Sequence, residues 1–276
     1  MDFWFLKYYD KLSPTEKKFW DLKYPDEISS LNEKYREQIG ENQRQDKLLE
    51  LERDRRYFLE RRKCDDLPWL IILREKEIAK VVSRLAQTLD SYFSDLTKPL
   101  VIVGILKGVY VFLSDLTKKL TIPNTVYFIE ASSYKDQKQG EVEFATAIVP
   151  SKIKDRHVLL LDELFDNGHT MQAMKQALLQ HPDLELRTED ITTCVLFSKN
   201  SGTKLPQPDF VGIGQLPNVW LVGYGLDDNG EKRGWPHLFA VPKAEGMPLA
   251  NDDALFTNED AYARIRSDLL EKIHHY

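Results

Sequence analysis

The stretch of sequence that decides the fold is His157-Val-Leu-Leu-Leu-Asp-Glu-Leu-Phe-Asp-Asn-Gly-His-Thr-Met171. Its apolar run, Val158 to Leu161, is typical of a strand that is buried on both faces of a parallel sheet. Two adjacent acids, Asp162 and Glu163, follow this run, and a Gly-containing turn leads to a helical pattern that begins near Met171. The sequence therefore predicts a strand, an acidic pair, a loop and a helix in direct succession.

A loop that leads into a helix N-terminus is suited to binding a phosphate group. The amides of the turn from Asp166 to Thr170 would point at the anion, and the helix dipole favours negative charge at that end. Asp162 and Glu163 would stand at the strand end, where carboxylates can hold Mg²⁺ or sugar hydroxyls. The alternative is a solvated strand end followed by a common Asp-Asn-Gly turn, and the spacing alone does not decide between the two.

Length and composition bound the class of protein. The chain has 276 residues, 42% of them hydrophobic, which is enough for a sizeable core in one or two domains. The formal net charge of −6 argues against a nucleic-acid partner. No apolar run reaches the roughly 20 residues of a membrane-spanning helix, and the start lacks the basic lead of a signal peptide. With two cysteines and no disulfide framework, we expect a reducing, cytoplasmic location.

The first quarter of the chain differs in composition from the rest. Residues 1–66 are aromatic at first and then heavily charged, with helical patterns but no motif for chemistry. We therefore predict a helical N-terminal extension at 1–66, a main domain at 67–241 and a C-terminal tail with a helix at 242–276. The extension would pack on the domain or on a partner subunit rather than form a separate active module.

The remaining apolar patterns complete an alternation of strands and helices. Glu75 to Phe93 has the spacing of an amphipathic helix, and Leu100 to Leu106 predicts a strand that ends at Lys107-Gly108. This turn also precedes a helical stretch, from Val109 to Leu120, and is a second possible anion site. Further strands are predicted at residues 69–73, 125–131, 143–149, 191–197, 219–225 and 238–241, and a final helix after residue 257.

The acidic stretch resembles the phosphoribosyl-pyrophosphate (PRPP) signature of the type I phosphoribosyltransferases. That pattern is an apolar run, two acids, two apolar residues, Asp, a small residue, Gly, any residue and Thr, and it matches Leu159 to Thr170. The resemblance narrows to the hypoxanthine-guanine phosphoribosyltransferase family through three more segments: Gly104-Ile-Leu-Lys107-Gly108, Ser133-Tyr134, and Trp220-Leu-Val-Gly-Tyr-Gly-Leu-Asp227 followed by Arg233. It extends over roughly residues 70–242 and leaves both chain ends outside.

The resemblance implies a fold and a reaction. The fold would be α/β, a mainly parallel sheet flanked by helices, with a small hood from the segments around 68–73 and 198–240 and a ligand site at the carboxyl ends of the strands. The protein would be a purine salvage glycosyltransferase that moves 5-phosphoribose from PRPP to a 6-oxopurine, hypoxanthine or guanine, with Mg²⁺. It would form a dimer or tetramer of identical chains. The alternative is a non-catalytic regulatory or partner-binding protein on the same fold.

The resemblance also implies roles for individual residues. Asp166 would be the catalytic acid or base at the purine N7 proton. The other implied contacts are with PRPP (Asp162, Glu163, Asn167, Gly168, His169, Thr170), with pyrophosphate (Lys107, Gly108, Arg233), with the purine (Lys199, Trp220, Leu221) and with the metal (Asp227, Asp162, Glu163), and Ser133 and Tyr134 would begin a lid.

Two features depart from the family pattern. The family usually has Glu-Asp where this chain has Asp162-Glu163, and Asn167 replaces the usual Thr or Ser of the phosphate loop. The swapped order keeps the charge but changes the reach of each carboxylate by one methylene. In the family, the peptide bond before the residue that matches Lys107 can be cis. Taken without the resemblance, the lysines would be surface residues and Trp220 a core aromatic.

Overall fold

The computed structural model describes residues 69–132, 143–144, 148–241, 256 and 259–274. The predicted extension at 1–66 and the predicted lid residues Ser133 and Tyr134 lie outside these ranges. The division of the chain into three regions and the role of the lid therefore stay predictions. None of the described helices is long and apolar enough to span a membrane.

Strands and helices alternate along the described chain. In chain order they are β1 (Leu70–Leu73), α1 (Glu75–Tyr92), β2 (Leu100–Leu106), α2 (Tyr110–Thr117), β3 (Asn124–Ser132), β4 (Glu143–Phe144), β5 (His157–Phe165), α3 (His169–Gln180), β6 (Ile191–Lys199), β7 (Phe210–Leu216), β8 (Trp220–Val222), β9 (Leu238–Val241) and α4 (Glu259–His274). Short 3₁₀ turns lie at Pro150–Lys152 and Thr188–Asp190.

The larger sheet has six strands in the order β4-β3-β2-β5-β6-β7. Five of them are parallel, and only the two-residue strand β4 pairs antiparallel, with β3. The central strands are apolar and buried along most of their length, as expected for a parallel sheet with both faces covered. The predicted α/β class and the mainly parallel sheet are confirmed.

Helices cover both faces of this sheet. Leu159 and Leu161 of β5 share one apolar cluster with α1, α2 and the end of α4. Val158 and Leu160 point to the opposite cluster, which contains Met171, Met174 and Leu178 of α3. Side chains of β5 alternate between the two cores, so both faces of the sheet are covered. In folds of this kind a ligand binds at the carboxyl ends of the strands.

The hood is a separate three-stranded antiparallel sheet in the order β1-β9-β8. Leu70 pairs with Ala240, and Trp220 pairs with Val241. Helix α4 holds the hood strand β1 through the Tyr262 hydroxyl, which donates to the Ile71 carbonyl at 2.8 Å. The hood is smaller than predicted, because residues 210–216 pair in parallel with β6 and extend the large sheet instead.

Several boundaries of strands and helices differ from the sequence prediction. Strand β5 continues through the acidic pair to Phe165, since Asp162 and Leu164 keep their pairing with β6. Helix α3 begins at His169, two residues before the predicted start. Strand β8 ends at Val222 rather than at 225, because the chain turns through positive φ angles at residues 223–225. Of the strand predicted at 143–149, residues 143–144 are paired, whereas 148–149 are not.

Candidate active site

The acidic pair is partly shielded from solvent at the end of β5. The amide of Glu163 donates to Asp162 Oδ1 at 2.9 Å. Burial raises the pKa of the Asp162 carboxyl well above its usual value, and the adjacent charge of Glu163 raises it further. Burial also raises the pKa of Glu163. Glu163 Oε2 is buried without a hydrogen-bond partner within the described residues. An orphaned carboxylate oxygen of this kind is costly unless a hydroxyl or cation satisfies it.

The Lys107-Gly108 turn lies directly against Glu163. A Cβ atom placed on Gly108 would be 1.8 Å from Glu163 Oε1, so any other residue here would displace this carboxylate. A Cβ on Gly225, where φ is +102°, would be 2.2 Å from the Gly108 carbonyl oxygen. The Leu106–Lys107 peptide bond is cis. Three segments of the predicted site, those of β2, β5 and the residues after β8, therefore meet at Gly108.

Two cationic side chains stand near this turn. Lys107 is exposed and its Nζ lies 3.5 Å from Glu130 Oε1. Arg233 Nη2 lies 2.7 Å from Asp227 Oδ1, and its Nη1 donates to the Gly225 carbonyl at 2.8 Å. Burial is the main reason that the pKa of Glu163 is raised, and the charge of Arg233 opposes this rise whereas that of Asp227 adds to it. The geometry brings the predicted pyrophosphate and metal residues to one place.

The loop between β5 and α3 has the form of an anion cradle. Gly168 has φ +85° and precedes the first helical residue, and a Cβ there would meet the Phe165 ring at 2.7 Å. His169 and Thr170 are exposed in the first turn of α3, where backbone amides have no acceptor within the helix. The His169 amide donates to Asn167 Oδ1 at 3.1 Å, so the unusual Asn167 forms an Asx-turn just before the helix.

Asp166 and Lys199 form an ion pair across the ends of β5 and β6. Lys199 Nζ lies 3.2 Å from Asp166 Oδ2. The lysine side chain is 7% exposed, whereas the aspartate side chain is 49% exposed. Lys199 is the last residue of β6 rather than a loop residue beyond it. The structure thus holds together the two residues that sequence reasoning placed around the purine.

The hood contributes Trp220 and Leu221. Trp220 is 43% exposed, unlike a core aromatic, and offers a flat apolar surface. Leu221 is 4% exposed and belongs to the core. Within the described residues, no hydrogen bond or ring contact joins Trp220 to the other site residues.

Two hydroxyl residues near the site carry no sequence signal. Ser201 Oγ donates to the Asp166 carbonyl, and Thr203 Oγ1 donates to the Asn167 carbonyl at 2.8 Å. Both lie in the loop between β6 and β7 and are separated from their acceptors by 35 and 36 residues. No local pattern marks such a contact, since Ser and Thr are frequent in any polar loop.

The carboxylates fit a cation that arrives with a substrate rather than a resident metal. Within the described ranges, no group of three or more His, Cys, Asp or Glu side chains could hold a metal ion by itself. Mg²⁺ typically binds one or two carboxylates together with waters and substrate phosphates. Glu163 Oε2, which has no hydrogen-bond partner among the described residues, is a carboxylate oxygen that could act as such a ligand. These carboxylates therefore suit Mg²⁺ that is bound together with a phosphorylated ligand.

Comparisons with known proteins agree with this site. Residues 68–229 match the phosphoribosyl transferase domain model. The hypoxanthine-guanine phosphoribosyltransferase of Aquifex aeolicus is 34% identical over 173 residues, which are 62% of this chain and 93% of that protein. The enzyme of the same name from Dictyostelium discoideum is 34% identical over 174 residues, which are 61% of this chain and 92% of that protein.

Solved structures show the same likeness. A hypoxanthine-guanine phosphoribosyltransferase from Bacillus anthracis aligns with a TM-score of 0.54 at 26% identity, over 64% of this chain and 98% of that one. The hypoxanthine phosphoribosyltransferase from Trypanosoma cruzi, in complex with the product IMP, aligns with a TM-score of 0.56 at 25% identity, over 67% and 98% of the two chains. This chain belongs to the hypoxanthine-guanine phosphoribosyltransferase family of type I phosphoribosyltransferases.

Proposed function

We propose that this protein transfers the 5-phosphoribosyl group of PRPP to N9 of a 6-oxopurine and releases pyrophosphate. The observation that carries this proposal is the ion pair between Asp166 and Lys199 at the mouth of the phosphate loop. A purine bound there would meet an acid-base carboxylate and a cationic donor side by side. The presence of Lys107, Asp166, Asp227 and Arg233 together speaks against a non-catalytic protein on this fold.

Base recognition rests on the complementarity of this pair to a 6-oxopurine. Lys199 Nζ can donate to the exocyclic oxygen, and Asp166 can accept the proton from N7 as N9 attacks the sugar. The 6-amino group of adenine would instead direct an N–H at the ammonium. Trp220, exposed on the hood, would stack on the purine face.

The phosphoribosyl group would lie between the loop and the acidic pair. The backbone amides of residues 167–170, with the Thr170 hydroxyl, would bind the 5′-phosphate at the N-terminus of α3. The His169 amide would exchange its Asn167 Oδ1 acceptor for a phosphate oxygen. Asp162 and Glu163 would accept hydrogen bonds from the ribose hydroxyls. Glu163 Oε2, buried and without a partner among the described residues, gains one in this arrangement.

The leaving group would lie on the Lys107 and Arg233 side. In the transfer the bond from the ribose anomeric carbon to pyrophosphate breaks, its electron pair leaves with the pyrophosphate, and the purine N9 forms the new bond. Negative charge therefore grows on the pyrophosphate oxygens. The Lys107 ammonium and the forked Arg233 guanidinium stabilise that charge.

Asp162, Glu163 and Asp227 are the residues that would offer carboxylate oxygens to Mg²⁺ arriving with the phosphorylated substrate. When bound, the ion neutralises part of the pyrophosphate charge. Asp227 now pairs with Arg233 and accepts from the Gly230 amide at 2.8 Å, so it is fixed in position near the turn. We propose Ser133 and Tyr134 as the start of a lid that excludes water from the sugar centre.

The protein would act as a dimer or tetramer of identical chains, which a mass measurement under native conditions tests. The activity is tested by incubating the purified chain with PRPP, MgCl₂ and hypoxanthine, guanine or adenine. Liquid chromatography of the products then measures nucleotide formation. We expect IMP and GMP with one pyrophosphate each, and no AMP. Formation of no nucleotide from any purine would contradict the proposed function.

A further inference from the structure

We propose that Ser201 and Thr203 are positioning residues that couple the purine-binding lysine to the 5′-phosphate loop. The proposal rests on the function proposed above. It extends that function to two residues whose hydroxyl groups touch neither substrate. Through them, PRPP binding and purine binding would reinforce each other.

The contacts are two hydroxyl groups on two consecutive carbonyls. Ser201 Oγ donates to the carbonyl of Asp166. Thr203 Oγ1 donates to the carbonyl of Asn167 at 2.8 Å. These acceptors are the first two residues of the phosphate loop, so the loop after β6 binds the phosphate loop at the point where it leaves β5.

A bound carbonyl fixes the direction of the next amide. In a planar trans peptide the C=O and the following N–H point in opposite directions. A hydroxyl that holds the Asp166 carbonyl therefore turns the amide of the next residue, Asn167, away from the β6–β7 loop. The bond to the Asn167 carbonyl does the same for the Gly168 amide. Ser201 and Thr203 thus set the direction of two amides assigned to the 5′-phosphate.

The same loop segment also holds the purine-binding groups. Lys199 lies two residues before Ser201, and its Nζ contacts Asp166 Oδ2 at 3.2 Å. Asp166 is therefore bound twice by this segment, at its side chain and at its main chain. A purine that reorients Lys199 and Asp166 acts on the loop that binds the phosphate.

The Thr203 hydroxyl makes two hydrogen bonds with defined directions. Thr203 Oγ1 accepts from the Leu205 amide at 3.2 Å while it donates to Asn167, so both of its hydrogen-bonding roles are fixed. Leu205 in turn packs close to Gly168, where an added Cβ would lie 3.4 Å from the leucine Cβ. Residues 198–203 also line a cavity of about 830 Å³. The hydrogen bonds of Ser201 and Thr203 therefore hold this segment against the phosphate loop.

The test removes each hydroxyl without changing the charge of the site. Ser201→Ala and Thr203→Val lose the donor, whereas Ser201→Thr and Thr203→Ser retain it. Thr88→Val is the matched control, because the Thr88 hydroxyl bonds within α1 at 3.0 Å and lines the same cavity. Initial rates over a grid of PRPP and hypoxanthine concentrations give kcat, both KM values and the factor by which one substrate tightens the other. Thermal unfolding monitors the fold.

We expect Ser201→Ala and Thr203→Val each to raise the KM for PRPP about fivefold, the equivalent of one net hydrogen bond of about 1 kcal/mol. In these variants the factor by which one bound substrate lowers the KM of the other should fall toward one, and kcat should change less than KM. Ser201→Thr, Thr203→Ser and Thr88→Val should keep the wild-type values.

The inference is overturned if the hydroxyl-deleted variants keep the wild-type KM and tightening factor. It is equally overturned if Thr203→Ser is as impaired as Thr203→Val, or if kcat and both KM values worsen together with thermal stability. If Thr203→Val does not fold, Ser201→Ala decides by the same criteria. An inactive wild-type protein would instead refute the proposed function, which separates the two failures.

Discussion

Replacing Gly108 by alanine tests the geometry on which the PRPP assignment depends. The new Cβ would lie 1.8 Å from Glu163 Oε1 and 2.3 Å from its carboxyl carbon. Contacts below 3.0 Å are essentially never observed for a Cβ, so the carboxylate must retreat by about 1.2 Å or more. Because this carboxylate is the end of a flexible side chain, the protein can fold around the substitution.

The expected cost is kinetic rather than structural. A misplacement of about 1 Å in a catalytic arrangement costs about 10²-fold in rate. We therefore expect Gly108→Ala to lower kcat/KM for PRPP about 100-fold. The thermal midpoint should change little, since the displaced atoms lie at the site and not in the core.

The assay is steady-state nucleotide formation with PRPP varied at saturating hypoxanthine, next to thermal unfolding of the same samples. Gly214→Ala on β7 is the matched control, because its Cβ would find its nearest neighbour at 3.8 Å, an ordinary contact. It should behave as wild type in both measurements. If folded Gly108→Ala kept the wild-type kcat/KM for PRPP, Glu163 would not act from its observed position, and its assignment to PRPP would be wrong.

Three further predictions concern other parts of the molecule. Asp166→Asn should lower kcat by about 10²- to 10⁴-fold in steady-state assays, with PRPP binding by calorimetry nearly unchanged, because a positioned acid-base group is lost; normal turnover would remove Asp166 from the mechanism. Lys199→Ala should reduce the preference for hypoxanthine over adenine, measured as a ratio of kcat/KM values, and an unchanged ratio would count against its role. Arg266→Met should lower the free energy of unfolding by about 3–5 kcal/mol in urea titrations, because it leaves the shielded Glu77 carboxylate without its ion-pair partner. In the wild type the two guanidinium contacts with Glu77 measure 2.8 and 2.9 Å. A stability loss within error of zero would refute this prediction.

The same ion pair gives a pH dependence whose sign follows from the structure. Burial alone would raise the pKa of Glu77, but the hydrogen bonds and charge of Arg266 bring it below its ordinary value of 4.5. A lowered folded-state pKa adds stability that is complete above pH 4.5 and is lost as the pH falls through the folded value. Urea titrations of wild type and Arg266→Met should therefore converge in acid below that pH. A gap that stayed constant would contradict the assignment.

The positions of the main strands and helices could be predicted from the sequence, because runs and spacings of apolar residues indicate them. Strand β2 at Leu100–Leu106 and strand β9 at Leu238–Val241 have the predicted bounds. The end of β5 was wrong by four residues, since adjacent charges normally mark a strand end. Here the backbone of Asp162 keeps its ladder pairing with Val195 while its side chain is buried. Propensity rules cannot see such an override by tertiary structure.

The candidate site was predictable only in its parts. The resemblance supplied the acids, the lysines and Trp220, and the structure brings Asp166 and Lys199 together across 33 residues of chain. The hydrogen bonds of the Ser201 and Thr203 hydroxyl groups could not be predicted, because they depend on how the β6–β7 loop packs against the phosphate loop. Their acceptors are backbone carbonyls, which leave no mark in the sequence at all.

The central claim is that the pair formed by Lys199 and Asp166 selects a 6-oxopurine. Its most direct test is the ratio of kcat/KM for hypoxanthine to that for adenine in the unmodified protein, with PRPP and MgCl₂ saturating. A site built to donate to an exocyclic oxygen rejects a base that lacks it by about 10⁴-fold or more, because adenine presents an N–H donor where the lysine ammonium needs an acceptor. We predict a ratio of that order. Equal kcat/KM values for the two bases would contradict the account.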